Sequence, residues 1–204
     1  MTSIDYYFTL VSPYAYLGHR AFVDLAARYG VGVGYKPMIL AKVFENSGAL
    51  PLAQRPKARQ DYRLLELQRW RAKRGLPLNL QPRHFPTNPA LADCSVIALS
   101  ENSIDPAAFM EATFRACWAE DRDIADRAVA AEKLAAAGHD AEAVLSQAGS
   151  SDVRSRYEAN TAEAVRLNVI GSPTYVLSGE IFWGQDRLEL LEDALASKRE
   201  PYRP

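Results

Sequence analysis

Cysteine is nearly missing from this chain: Cys94 and Cys117 are the only two in 204 residues. They have neither CxxC spacing nor a histidine cluster beside them, so neither a disulfide framework nor a cysteine-based zinc site is expected. Both are expected to be free, buried thiols in a reducing cytoplasm. Long apolar runs are missing too, and none approaches the ~20 residues a membrane span needs. Met1 to Val11 lacks the basic segment and apolar stretch of a signal peptide and reads directly as a strand. Nor is either sign of charge in excess. With 24 Lys and Arg against 25 Asp and Glu, the net charge is −1, which gives no general electrostatic reason to bind nucleic acid or an anionic membrane. The basic run Arg55, Lys57, Arg59, Arg63, Arg69, Arg71, Lys73, Arg74 therefore reads as a solvated helix face. His19, His84 and His139 are far apart and read as surface or loop residues, not metal ligands.

What is present begins with a short aromatic strand, Ile4 to Leu10, ended by Val11-Ser12-Pro13. Apolar residues then recur at helical steps (Leu17, Ala21, Leu25; Phe22, Ala26, Tyr29), and Gly30 stands where a helix C-terminal glycine belongs. Val31 to Met38 reads as a second strand, completing a βαβ unit. From about Leu40 to Gly149 no strand is convincing. Helices are predicted over Ala58 to Lys73, Ala90 to Ser100, from Asp105-Pro106 onward, Asp126 to Ala137 and Asp140 to Ala148. Gly75, Pro77, Pro82, Pro86 and Pro89 mark a long loop among them. A helix over Asp152 to Leu167 leads into Gly171-Ser172-Pro173-Thr174. The strands Tyr175 to Leu177 and Ile181 to Trp183 flank a tight Ser178-Gly179 turn. A last helix opens at Gly184-Gln185-Asp186-Arg187, and the polar tail from Ser197 is expected to fray. The order βαβ, helical block, αββα is that of an α/β thioredoxin-like fold with a large all-helical insertion. Residues 1–39 and 151–204 would form the thioredoxin-like part, and 40–150 the inserted helical domain.

Three segments carry chemistry. Ser12 is placed to cap a helix whose first residue is Pro13, and free N–H groups at a helix start favour an anion, a thiolate included. Pro173, directly before a strand, could be cis, turning the preceding backbone toward a peptide ligand. Asp186 in a first helical turn can face a ligand ammonium. Each has an ordinary explanation by itself: a helix cap, a loop proline, a favourable charge. In the proposed fold all three meet at one end of the sheet, and that coincidence favours a site.

These residues resemble a known family, 2-hydroxychromene-2-carboxylate isomerase and its relative the kappa-class glutathione transferase. The resemblance spans nearly the whole chain. Its anchors are Ser12-Pro13-Tyr14-Ala15-Tyr16-Leu17, Leu67-Gln68-Arg69-Trp70, Val169-Ile170-Gly171-Ser172-Pro173-Thr174 and Trp183-Gly184-Gln185-Asp186-Arg187-Leu188. DsbA-type oxidoreductases are related, but where they carry CxxC this chain has Ser12-Pro13-Tyr14-Ala15, so dithiol exchange there is excluded. The resemblance implies glutathione as the external thiol. It implies that Ser12 is catalytic and donates a hydrogen bond to the glutathione sulfur. Ile170 to Ser172, before a cis Pro173, would pair with the cysteinyl backbone, and Gln185 and Asp186 would bind the γ-glutamyl end. Gln185 departs from the Asn or Ser more usual before that aspartate. Lys42, Arg55 and Asn88 are the expected contacts for a small aromatic carboxylate. The implied reaction is isomerisation without net redox change, in a homodimer of an aromatic-degradation pathway. Alternatives are a kappa-type transferase, which consumes glutathione, and a non-catalytic glutathione-binding module.

Overall fold

A computed structural model describes residues 2–204. The sheet has the order β2-β1-β3-β4. β1 (Ser3–Phe8) is followed by α1 (Pro13–Tyr29) and β2 (Gly32–Pro37). β1 and β2 are parallel, with Tyr6 opposite Tyr35. β3 (Thr174–Leu177) lies antiparallel on the other side of β1, with Tyr6 opposite Tyr175. β4 (Glu180–Trp183) closes the sheet against β3. Ser178 and Gly179 both have positive φ, the conformation a two-residue hairpin turn demands.

β1 is central, and its alternation fills both faces of the sheet. Ile4, Tyr6 and Phe8 enter the large core shared with α1 and most of the helical block. Tyr7 enters a smaller one with Met38, Val43, Ala164, Val169 and Val176. Period-two side-chain direction is the cause.

Between β2 and β3 the described residues hold no strand, only a 3₁₀ turn at Leu52–Gln54 and the helices α2 (Leu40–Ser47), α3 (Lys57–Arg74), α4 (Ala90–Glu101), α5 (Ala107–Trp118), α6 (Arg127–Ala136), α7 (Ala141–Ala148) and α8 (Ser151–Arg166). Asp126, Asp140 and Ser150 cap α6, α7 and α8 by accepting from Ala128, Ala143 and Val153 amides. α2 is absent from the sequence reading, because it has no capping side chain and is only eight residues long. Asp105 and Pro106 lie just before α5 rather than opening it, with the Asp105 carboxylate accepting from the Ala107 amide at 3.0 Å. Residues Gln185–Arg187 form a single 3₁₀ turn before α9 (Leu188–Ser197).

Two further expectations are corrected. His19 is buried, not a surface residue; burial pushes its pKa down to about 4, against a hydrogen bond to the Ala107 carbonyl. The C-terminal tail is tied down rather than frayed. Arg199 forks onto Glu180 at 2.7 and 2.8 Å, the Tyr202 amide donates to the same carboxylate, and Arg203 reaches the Ser178 carbonyl. Both cysteines are buried and unpaired, with burial pushing their pKa values up to about 11 and about 12. No helix among the described residues is long and apolar enough to cross a membrane.

Candidate active site at the start of the first helix

Ser12 caps α1. Its Oγ accepts from the Ala15 amide at 3.2 Å, and Pro13 supplies the first helical residue, where its missing N–H costs nothing. The same Oγ donates to the Ser172 carbonyl at 3.0 Å. Ser172 returns the contact, its own Oγ accepting from the Thr9 amide at 3.2 Å. The Ser172–Pro173 peptide bond is cis, as is Phe85–Pro86. Pro173 in turn accepts from the Gly184 amide at 2.9 Å. Sequence positions 12, 172 and 184 are thus stitched into one surface, as the sequence reading expected of the three segments.

A buried acid holds that surface from below. Asp93 on α4 is fully inaccessible. It accepts from the Leu10 amide, the Thr9 hydroxyl and the Tyr157 hydroxyl, each at 2.8 Å. Burial pushes its carboxyl up to about 7, and those three donors oppose the rise. Sequence reasoning missed Asp93, although one signal was present: the one charged residue in the mostly apolar run Ala90 to Leu99.

The 3₁₀ turn packs very tightly on α1. A Cβ at Gly18 would stand 2.5 Å from the Gln185 Cβ, so glycine is required by close approach. Gln185 is therefore buried, and its side-chain oxygen accepts from Arg74 at 3.0 Å while Arg74 also bonds its backbone carbonyl. The structure places Gln185 in the wall of the site. Asp186 is exposed, with its carboxylate beside Arg187 at 2.9 Å. Gly184 has φ 107°, and a Cβ there would lie 2.3 Å from the Asp186 carboxylate.

The backbone from 170 to 172 is partly committed. The Ile170 carbonyl accepts from Ser47, the Gly171 carbonyl from the Thr174 hydroxyl and the Ser172 carbonyl from Ser12. The Ser172 amide has no acceptor among the described residues. Phe44 and Trp183 crowd Gly171, since a Cβ there would lie 2.9 Å from the Trp183 indole nitrogen and 3.7 Å from Phe44. Arg55 lies over the Phe44 ring at 5.6 Å and donates to the Leu50 carbonyl. Through Phe44, Arg55 is thereby brought toward the loop at Gly171.

Lys42 and Asn88 are engaged elsewhere. Lys42 pairs with Glu158 of α8 at 2.5 Å, both well exposed. The Asn88 side chain accepts from the Ala90 amide and so helps start α4. Tyr14 stands half-buried in the first turn of α1. Burial raises its pKa, and the charges acting on its phenol are Arg63, Glu66, Arg55 and Asp186. The basic run is therefore not a uniformly solvated face: Arg74 grips Gln185, and Arg63 lies over the rings of Phe85 and Trp118.

A capped helix start without cysteines, set against a cis-proline loop on a β2-β1-β3-β4 sheet, defines a DsbA-like thioredoxin protein without the dithiol. Residues 3–196 match the family model of the DSBA-like thioredoxin domain. The chain is 32% identical to 2-hydroxychromene-2-carboxylate isomerase of Pseudomonas putida over 197 residues, covering 94% of this chain and 93% of that one. It is 25% identical to glutathione S-transferase kappa 1 of Rattus norvegicus, covering 96% and 91%. A solved structure of 2-hydroxychromene-2-carboxylate isomerase superposes with a TM-score of 0.75 at 29% identity, over 96% of this chain and 95% of that chain. The chain belongs to the DsbA-like thioredoxin family and, within it, to the 2-hydroxychromene-2-carboxylate isomerase family.

Proposed function

We propose that this protein is a glutathione-dependent isomerase of a small aromatic carboxylate. The observation that carries the reading is the Ser12 hydroxyl, held at a helix start against Ser172 where a dithiol relative would have cysteine chemistry. The residues fit the tripeptide. Ser12 offers a hydroxyl proton at the positive end of α1, the Ser172 amide is an unused donor, and Asp186 is an exposed carboxylate for an ammonium. Glutathione, when bound, would supply a thiolate nucleophile for reversible addition to the conjugated substrate, and would not be consumed. The chain's part is to hold and orient. The Ser12 proton, directed at the Ser172 carbonyl in this structure, would turn toward the sulfur and help hold it as an anion. Ser172 and the Ile170–Gly171 backbone fix the cysteinyl unit beside Pro173. Asp186 fixes the γ-glutamyl end, and Gln185, locked by Arg74, sets the position of Asp186. Arg55 faces the substrate, whereas Lys42 and Asn88, engaged with Glu158 and the Ala90 amide, are not among its contacts in this reading. In this reading residues 1–39 and 151–204 form the thiol-holding part, and the inserted 40–150 supplies the substrate side.

Incubation with 2-hydroxychromene-2-carboxylate, with and without glutathione, tests the proposal. A rate that is no faster with glutathione sinks it. The rat kappa-class relative motivates a second reading as a transferase. Product mass separates the two: a retained glutathione adduct marks a transferase, and a product isomeric with the substrate marks an isomerase.

A further inference from the structure

Seven cationic side chains in the described residues are half-buried: Lys36, Arg55, Arg63, Arg71, Arg74, Lys133 and Arg199. Six of them have an acceptor. Lys36 meets Glu163, Arg55 the Leu50 carbonyl, Arg71 the Leu78 carbonyl, Arg74 Gln185, Lys133 Glu120 and Arg199 Glu180. Arg63 has none. Its nearest helical carboxylate, Glu66, is turned to Arg69 at 2.6 Å. The Arg63 guanidinium instead lies 5.7 Å from the centre of the Phe85 ring and 5.9 Å from that of Trp118. These rings pack on each other at 4.9 Å. Arg55, also without a carboxylate, acts on it as a like charge.

A half-desolvated guanidinium with all its donors free is costly unless an acceptor arrives. Its planar fork fits a carboxylate in a two-point contact. The setting says which carboxylate. Trp118 is fully buried, and the half-buried ring of Phe85 beside the guanidinium suits a flat ring. Tyr14, two residues after Ser12 on a helix that packs against the helix of Arg63, feels the charges of both Arg63 and Asp186. We propose that Arg63 is the specificity-determining residue that binds the carboxylate of an aromatic acid substrate. This deepens the isomerase reading and rests on it for the word substrate. The other source of the same chemistry is a carboxylate of glutathione itself.

Calorimetry on the intact protein with chromone-2-carboxylate, chromone-2-carboxamide and glutathione distinguishes them. The wild type is expected to bind the carboxylate at least about tenfold more tightly than the carboxamide, the scale of one charge-assisted hydrogen-bond pair. R63L should abolish that preference and leave glutathione affinity within about twofold, while R63K should keep part of it. R63Q serves in place of R63L should leucine at this position fail to fold by thermal melting. Three results overturn the inference: no preference in the wild type, a preference untouched by R63L, or a fall in glutathione affinity in its place. Binding is read here without turnover. Loss of glutathione-dependent isomerisation would therefore leave this result intact, and loss of the carboxylate preference would leave the isomerase reading intact.

Discussion

The two walls of the site are built on opposite principles. On the inner wall, Thr9, Leu10, Ser12 and Ser172 are bonded to one another or to Asp93, and Gln185 is bonded to Arg74. On the outer wall, contributed by α2, α3 and the loop through Pro86, Arg63 has no acceptor among the described residues. Closed polar networks in a low dielectric fix geometry. Open donors leave room for a ligand. Under the proposed function, the inner wall holds the tripeptide thiol and the outer wall the aromatic substrate.

Breaking the inner wall should have the largest effect. Asp93→Ala would leave two hydroxyls and the Leu10 amide without their acceptor inside the core. Stability should fall by about 3 kcal/mol or more, measured by urea denaturation at pH 6. Ser12→Ala is expected to cost about 1 kcal/mol of stability as a lost cap. Under the proposed mechanism it should also slow turnover by about 100-fold or more. A rate equal to wild type in a folded Ser12→Ala would remove the serine from the chemistry.

A subtler contrast lies in pH. Asp93 has its pKa raised to about 7 from 3.8, so between those values the native state keeps a proton the unfolded state has lost. Its contribution to stability falls as pH rises through that interval. His19 acts in the opposite sense. Its pKa is lowered from 6.5 to about 4, so the unfolded state binds the extra proton and stability rises with pH over nearly the same range. Urea midpoints from pH 4.5 to 7.5 should therefore be flatter for wild type than for Asp93→Asn, whose curve should climb. The gap between the curves should narrow with rising pH, by up to ~4 kcal/mol for a shift of this size. Parallel curves would mean that Asp93 is ionised throughout.

The smallest effect is expected on the outer wall away from Arg63. Lys42 and Glu158 form an exposed pair. Lys42→Ala should change stability by less than about 0.5 kcal/mol. A fall in substrate affinity beyond about threefold would place Lys42 among the substrate contacts despite that pairing.

Much of the inner wall was legible in the residues, because its signals are local. A serine before a proline at the head of an apolar-periodic segment is a cap wherever it stands, and Ser178-Gly179 between two apolar runs is a hairpin turn. The tight contact at Gly18 carried no local signal, since it depends on Gln185 arriving from 167 residues away. The buried state of His19 depends in the same way on α5 passing over α1. The fixed tail depends on Glu180 lying within reach of Arg199 and Tyr202.

The amino-acid order alone settled the type and succession of most elements, the lack of a dithiol and the identity of the helix cap, since these follow from side-chain period, backbone restriction and which atoms a residue owns. Folding decided which charges would meet a partner. Whether an arginine in a run of eight basic residues faces water, a glutamine or two aromatic rings depends on groups distant in sequence, and burial, which magnifies every unpaired charge, exists only once the layers have packed.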